Sequence, residues 1–401
     1  MPRDNSMDTR EYATSHPWIT YRFDASNMHP WFWEQLGEAR SKCRHLALSP
    51  LQPSVADHMH ALFLAKGAHA TTAIEGNTLT EDQVLEAVQG TLALPPSQEY
   101  LGHEIQNILT ACTELEETIM REGKFDLSVA LLGSMNARVL SDLVVPDHVV
   151  PGEFRDHQVG VGTYKGAPAS DVEYLTEQMC TWLNSADFTG GEDKREAFLR
   201  TILRAVLAHI YIAWIHPFGD GNGRTARLVE FGILTAAGVP SVAAHLLSNH
   251  YNQTRSAYYR HLQESSRSGG DVRGFLRYAV EGFVDQLQAQ LTSVHDQNWR
   301  STWQNYVHEQ FRDRDGGTSK RQRELCLALG EIERIVPRRD IRLLTPELAE
   351  AYAGKGAKTI SRDLNKLEDM GLIARSPEGI RARLEIIFRL APRVAGGLVV
   401  D

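Results

Sequence analysis

Cysteine is scarce in this chain: four residues in 401 (Cys43, Cys112, Cys180 and Cys326), none close to another. That spacing excludes a disulfide framework or a cysteine zinc site and fits a reducing compartment. Basic charge is also in short supply. The sequence has 42 Lys and Arg against 51 Asp and Glu, a formal charge of −9, which argues against an overall nucleic-acid binder. The balance is uneven, because 16 basic and 12 acidic residues follow from Ser319 onward, leaving −13 before it. Long apolar runs are missing too. Met1 to His16 is polar and charged, so no signal peptide is expected. The most apolar segment, near Leu203–Ile215, contains His209 and reads as too short to span a bilayer. A cytoplasmic protein without membrane contact is the expectation. What is present is an ordinary globular composition, 42% hydrophobic and 23% charged, in a chain too long for one compact core.

The densest chemistry lies in Ile215-His216-Pro217-Phe218-Gly219-Asp220-Gly221-Asn222-Gly223-Arg224-Thr225-Ala226-Arg227. Three glycines let the backbone take positive φ and come close to a ligand. A glycine-rich turn feeding a helix presents free N–H groups and the positive end of the helix dipole, which together favour an anion. Asp220 is a hard oxygen ligand of the kind Mg²⁺ shares with phosphates. Arg224 and Arg227, three apart, fall on one helix face, and each can grip phosphate with two N–H groups. His216, pushed toward extended backbone by Pro217, can act as a base near neutral pH.

This stretch resembles the Fic family signature H-x-F-x-[D/E]-G-N-G-R-x-x-R at every specified position. The resemblance implies transfer of the AMP part of ATP to a protein hydroxyl. His216 would be the base, Asp220 would hold Mg²⁺, and Gly221, Asn222, Gly223, Arg224, Thr225, Ala226 and Arg227 would line the ATP site. Thr71-Thr72-Ala73-Ile74-Glu75-Gly76 resembles the family's inhibitory pattern [S/T]-x-x-x-E-[G/N], with Glu75 expected to pair with Arg227 and block ATP's productive pose. Without that resemblance, Glu75 is an unfavourable residue in a last helical turn. The segment around Val159, Gly160, Val161 and Gly162 alternates as a short hairpin would. It resembles the flap of Fic enzymes, whose bare edge can align an extended target peptide. By position, Tyr258 and Tyr259 resemble the tyrosines that contain adenine. Ser266 stands where members of the family carry a nucleotide-contacting Asn.

The expected architecture is mainly α, a Fic/Fido helical core with a small β-hairpin flap and a C-terminal winged helix-turn-helix domain. Residues 1–98 read as an N-terminal helical region bearing the inhibitory helix, 99–290 as the catalytic core, 291–318 as a linker and 319–401 as the winged-helix domain. Periodicity predicts a helix from Ser54, as N-cap, to about Ile74, interrupted near Lys66-Gly67. Thr80 and Gln83 predict a capping box. A helix over Glu192–Trp214, apolar on nearly all sides, should be central, with His209 a satisfied core histidine. One helix is expected over Asn249–Leu262. In the last domain, Lys358, Arg362 and Lys366 fall at four-residue steps as one basic stripe.

Three functions follow as expectations. The first is a protein adenylyltransferase acting on a Ser, Thr or Tyr hydroxyl of a protein, the chain itself included, and restrained by Glu75. The second is removal of AMP by hydrolysis in the same site. The third is a DNA-binding regulator with a nucleotide-sensing core, its terminal domain meeting DNA or protein. Homodimer formation is open on this reading.

Overall fold

The structure, a computed structural model, describes residues 10–162, 164–190, 193–332, 334–387, 393–394 and 397–398. The first nine residues, Thr163 of the flap segment and the remaining positions of the last domain lie outside the described residues. The chain forms two units, Met1–Leu291 and Thr292–Asp401. Nearly all regular structure is helical, with only short antiparallel strand pairs.

The first unit is built round the Lys194–Ile215 helix. Its residues Ile202, Val206, Ala208, Ile210 and Ile212 are wholly buried. Neighbouring helices Pro30–Leu48, Val172–Leu183 and Asn222–Ala236 pack against it. Burying apolar side chains on every face is what a sequence without a polar stripe demands. Over Arg195–Ile215 this helix is long and apolar enough to cross a membrane by length and composition, correcting the expectation of a segment too short to do so. Helical residues before Leu203 add the missing turns.

Helix boundaries follow local chemistry. The predicted capping box is present: Thr80 Oγ1 accepts from the Gln83 amide, and the Gln83 side chain accepts from the Thr80 amide. The preceding helix is Pro53–Ala73, so Pro53 takes the first position and Ser54 is not the cap. It runs unbroken through Lys66-Gly67. Gly67 interrupts the apolar stripe because a Cβ there would lie 2.3 Å from His245 Cγ; the glycine is a contact surface, not a break. The single helix expected over 249–262 is two, Leu246–Gln253 and Arg255–Arg267. At the break, Thr254 bonds back to the His250 carbonyl at 2.7 Å, the local bond by which threonine competes with a helix ladder.

The first unit ends at Leu291, beside the expected boundary at 290, but the stretch that follows is not an irregular linker. Helix Arg273–Gln310 runs through most of 291–318. The reason is apolar: Trp303, Val307 and Phe311 are buried in the second unit's own core with Leu325, Leu329 and Leu364. That unit then presents helices Gly317–Gly330, Pro346–Ala351 and Ala357–Asp369 and a hairpin pairing Ile373–Ser376 with Gly379–Ala382. Thr345 caps the second of these helices by accepting from the Leu348 amide.

One buried carboxylate ties this unit together. Asp363, 1% exposed, accepts from Arg321 Nε at 2.7 Å and Nη2 at 3.2 Å, Gln322 Nε2 at 2.8 Å and Tyr352 Oη at 3.1 Å. Removing it strands the Arg321 guanidinium. Asp363→Ala should therefore destabilise the second unit by about 3–5 kcal/mol, read as faster amide exchange across 317–369 at unchanged protection in Lys194–Ile215.

Candidate active site

The Lys194–Ile215 helix ends on His216, whose φ of 53° and ψ of 60° are left-handed. A non-glycine residue held there is strained and needs support. Arg155 supplies it. Its Nε donates to the His216 carbonyl at 2.7 Å and Nη2 to that of Ile215 at 3.2 Å. The same guanidinium reaches the carbonyls of His157 and Ala167 on either side of the hairpin. Phe154 and Phe218 form an antiparallel bridge beside it.

The loop after His216 is pinned from within. Asn222 accepts from the Phe218 amide at 2.9 Å and donates to the Phe218 carbonyl at 2.8 Å. Gly221 takes φ 75°, and a Cβ there would sit 2.9 Å from Asn136 Nδ2. That amide is occupied: Asn136, fully buried, donates to the Asp220 carbonyl at 2.9 Å and the Thr225 hydroxyl at 3.3 Å and accepts from the Gly152 amide at 3.0 Å. The loop thus delivers the amide end of helix Asn222–Ala236 to a fixed place, the arrangement that favours an anion.

Both arginines of that helix are buried. Arg227 Nη2 donates to Glu75 Oε1 at 2.5 Å and to the Thr71 carbonyl at 3.0 Å. Its Nε and Nη1 are buried without a hydrogen-bond partner, so donors remain for a further acceptor. A Cβ on Gly223 would lie 2.1 Å from Glu75 Oε1, so this glycine is what admits the carboxylate. Burial works to raise the Glu75 carboxyl, but the Arg227 guanidinium, aided by Arg224 and His216, outweighs it and holds it below the usual range. Arg224 pairs with Glu104 at 3.1 Å and with Asp220 at 3.4 Å. Glu104 also accepts from Asn77 Nδ2 at 2.8 Å, two residues past Glu75. Asp220 itself is half exposed and takes the Gly221 amide on Oδ1 at 2.5 Å.

His216, Glu75 and the helix start at Asn222–Gly223 border one cavity of about 580 Å³, within the usual size for a small-molecule site, while Asp220, Gly221, Arg224 and Arg227 are not among its lining residues. Of the residues singled out in the sequence, Glu75, Val161, Gly162, His216, Asn222, Gly223, Ala226, Tyr258 and Tyr259 line it. The hairpin is shorter than expected and shifted along the chain: Gly160–Val161 pairs with Tyr164–Lys165. Val159 instead accepts from the Gly166 amide at the hairpin base, and Gly160 sits in the strand opposite Lys165. Thr225 is fully buried against Asn136, and Ser266 turns its hydroxyl to the Gln263 carbonyl.

Residues 126–234 match the Fic/DOC family. Over that segment the chain carries a Fic domain. Protein adenylyltransferase Fic of Drosophila melanogaster is 30% identical over 223 residues, 56% of this chain and 41% of its own length. Protein adenylyltransferase fic-1 of Caenorhabditis briggsae is 32% identical over 219 residues, 54% of this chain and 39% of its own. The chain thus spans about two fifths of the length of these curated relatives. A crystal structure of a Fic family protein from Desulfovibrio desulfuricans G20 shares the fold, with TM-score 0.56 and 20% identity, covering 90% of this chain and 98% of that one.

In this Fic domain the sequence reading found the loop and missed its supports. Asn136, Arg155, Glu104, Tyr164 and Trp214 come from other elements, and none sits in a distinctive pattern. Asn77 carried a faint signal, following the Gly76 helix stop.

His216 has its imidazole pushed down to about 4 by burial, reinforced by the nearby Arg155 charge. The unfolded chain takes this proton near 6.5, the folded chain only near 4. Folding therefore weakens as pH falls from 6.5 toward 4, and above 6.5 the effect is absent. An NMR titration should find the His216 ring neutral at pH 6, with its midpoint well below that of an exposed histidine.

Proposed function

We propose that the chain is a protein adenylyltransferase, moving AMP from ATP to a Ser, Thr or Tyr hydroxyl of a protein. The observation that carries the reading is a half-buried histidine beside a helix start whose second arginine keeps two buried donors unpartnered. ATP phosphates would take the amides at Asn222–Arg224 and the spare donors of Arg227. The target oxygen would give its proton to His216 and form a bond to the α-phosphorus, as the bond to the bridging oxygen breaks and pyrophosphate leaves. Positioning and charge neutralisation supply most of the rate in such a reaction.

Asp220 is the residue that would hold Mg²⁺. Among the described residues no cluster of three or more His, Cys, Asp or Glu could bind a metal unaided. A half-exposed single carboxylate fits an ion that draws its other ligands from phosphate and water. Bound there, Mg²⁺ would neutralise phosphate charge.

Glu75 acts on this reading as a brake, since an Arg227 donor paired with carboxylate is withheld from phosphate. A second reading, hydrolytic removal of AMP, draws on the charged Glu75 lining the same cavity as His216, where it could orient water. The second unit we infer to be a winged helix: Lys358, Arg362 and Lys366 are exposed on Ala357–Asp369 while Ile360, Leu364 and Leu367 are buried. The basic stripe is free to meet DNA or an acidic protein surface.

Replacing His216 by Ala should lower labelling of protein from α-labelled ATP by about 10²–10⁴-fold, with ATP binding retained; undiminished labelling would refute the transfer reading. Glu75→Gly should raise labelling, by about 5- to 150-fold if the coupling is of ordinary size. Equal activity in the variant and the parent would remove the brake, and release of AMP from a modified protein would instead support hydrolysis.

A further inference from the structure

The sequence reading treats His209 as core, yet it lines the candidate nucleotide cavity while being wholly buried. It lies seven residues before His216, which caps the same helix, so the two are about 10 Å apart along the axis, and both line the cavity.

His209 is held between two groups. Its Nδ1 lies 2.9 Å from Glu230 Oε2, a close but bent approach that does not align the N–H with the oxygen. Its Nε2 lies 2.8 Å from the Tyr258 hydroxyl. With Nδ1 turned to a carboxylate and carrying the proton, Nε2 is left to accept from Tyr258 O–H. Glu230, 1% exposed, accepts from Tyr251 O–H at 2.9 Å on its other oxygen. The Tyr251 ring in turn stacks on Tyr258 at 4.9 Å and 25°. Tyr258 is thereby fixed twice, through its hydroxyl by His209 and through its ring face by Tyr251, and both constraints return to Glu230.

Burying a carboxylate and an imidazole together is costly, and a purely structural core does the same work with apolar residues. The chain instead consumes the Tyr258 hydroxyl inside the protein, which leaves the ring to meet the cavity. We propose that His209, set by Glu230, is a positioning residue that locks Tyr258 as the wall against which the nucleotide base packs. The inference rests on the nucleotide-transfer reading for its ligand, and on geometry alone for the lock.

The test uses the full chain and four variants: His209→Leu, His209→Gln, Tyr258→Phe and the His209→Leu/Tyr258→Phe double. Loss of one neutral hydrogen bond corresponds to about a fivefold weakening. His209→Leu and Tyr258→Phe should each raise KM for ATP by about five- to tenfold, with kcat nearly unchanged. The double variant should be no worse than the poorer single, because the two act through one bond. Glutamine at 209 can still meet both neighbours and should restore KM. Additive losses, or a fall in kcat at constant KM, overturn the proposal. A crystal structure of His209→Leu gives a ligand-free reading: the Tyr258 ring should leave its place on Tyr251, and an unmoved ring overturns the lock. If His209→Leu does not fold, Tyr258→Phe and His209→Gln decide by the same KM criterion. Failure of the parent and every variant to bind ATP refutes the transfer reading, and the ring position then still judges the lock.

Discussion

A buried guanidinium is costly unless its donors are met, most fully by an anion, and Arg227 is the residue on which this site turns. Its side chain is almost wholly enclosed, and an uncompensated charge in such a place costs several kcal/mol. Glu75 meets the need in this structure. It meets it incompletely, with one oxygen on one nitrogen, while Nε and Nη1 stay unsatisfied. A phosphate carries more charge and more acceptor oxygens than one carboxylate, so it can serve donors that Glu75 cannot. On the transfer reading, inhibition and activation are two occupants of one demand, and no rearrangement of Arg227 itself is required. The partial exposure of Glu75 suits an occupant that can be displaced.

The first arginine is drawn into the same arrangement by a shorter route than the sequence suggests. Glu104 holds Arg224 with one oxygen and Asn77 with the other. Asn77 is two residues from Glu75, and its side-chain Oδ1 accepts from the Leu79 amide as the chain leaves the helix. Any displacement of the Glu75 turn therefore strains a bond that ends on Arg224. Both buried arginines of the loop are linked to one five-residue stretch, Glu75 directly and Asn77 through a carboxylate from another helix. Coupling by contiguous bonds of this kind is physical, because each member is bonded to the next.

How much of this is legible in the sequence depends on where the information lies. The loop from His216 to Arg227 announces itself because the needs of close approach, positive φ, charge and helix start all fall within twelve residues. The Glu75–Arg227 pair joins residues 152 apart, and only the family resemblance made it visible. The helices of the core were read from periodicity and caps, and Thr80–Gln83 formed as read. The failures share a cause: tertiary contact reassigns a residue's meaning. Gly67 reads as a breaker and is a seat for His245. The region 291–318 reads as a linker because polar and charged residues outnumber the five buried apolar positions, Leu291, Val294, Trp303, Val307 and Phe311. Asn136 and Arg155 are ordinary residue types whose work is done on backbone groups far along the chain, and backbone groups leave no trace in a sequence.

Arg155 shows why that work matters. Its bonded donors all end on main-chain carbonyls, two on the helix-end loop and two on the hairpin. A guanidinium without a carboxylate partner is an expensive residue to bury, and burial pulls its own titration down to about 10. The return is that one rigid fork joins the hairpin to the histidine loop, so the edge that would receive a peptide and the base that would deprotonate it keep a fixed relation. The retained charge has a second effect. Burial first, and the Arg155 charge after it, keep the His216 imidazole unprotonated near neutrality. A carboxylate in Arg155's place could not hold those carbonyls and would favour the imidazolium, the form unable to accept a proton. The left-handed backbone of His216 and its protonation state are therefore linked: burial does most to keep the ring neutral, and the cation that holds the strained position adds to it, which on the transfer reading is the form a general base requires.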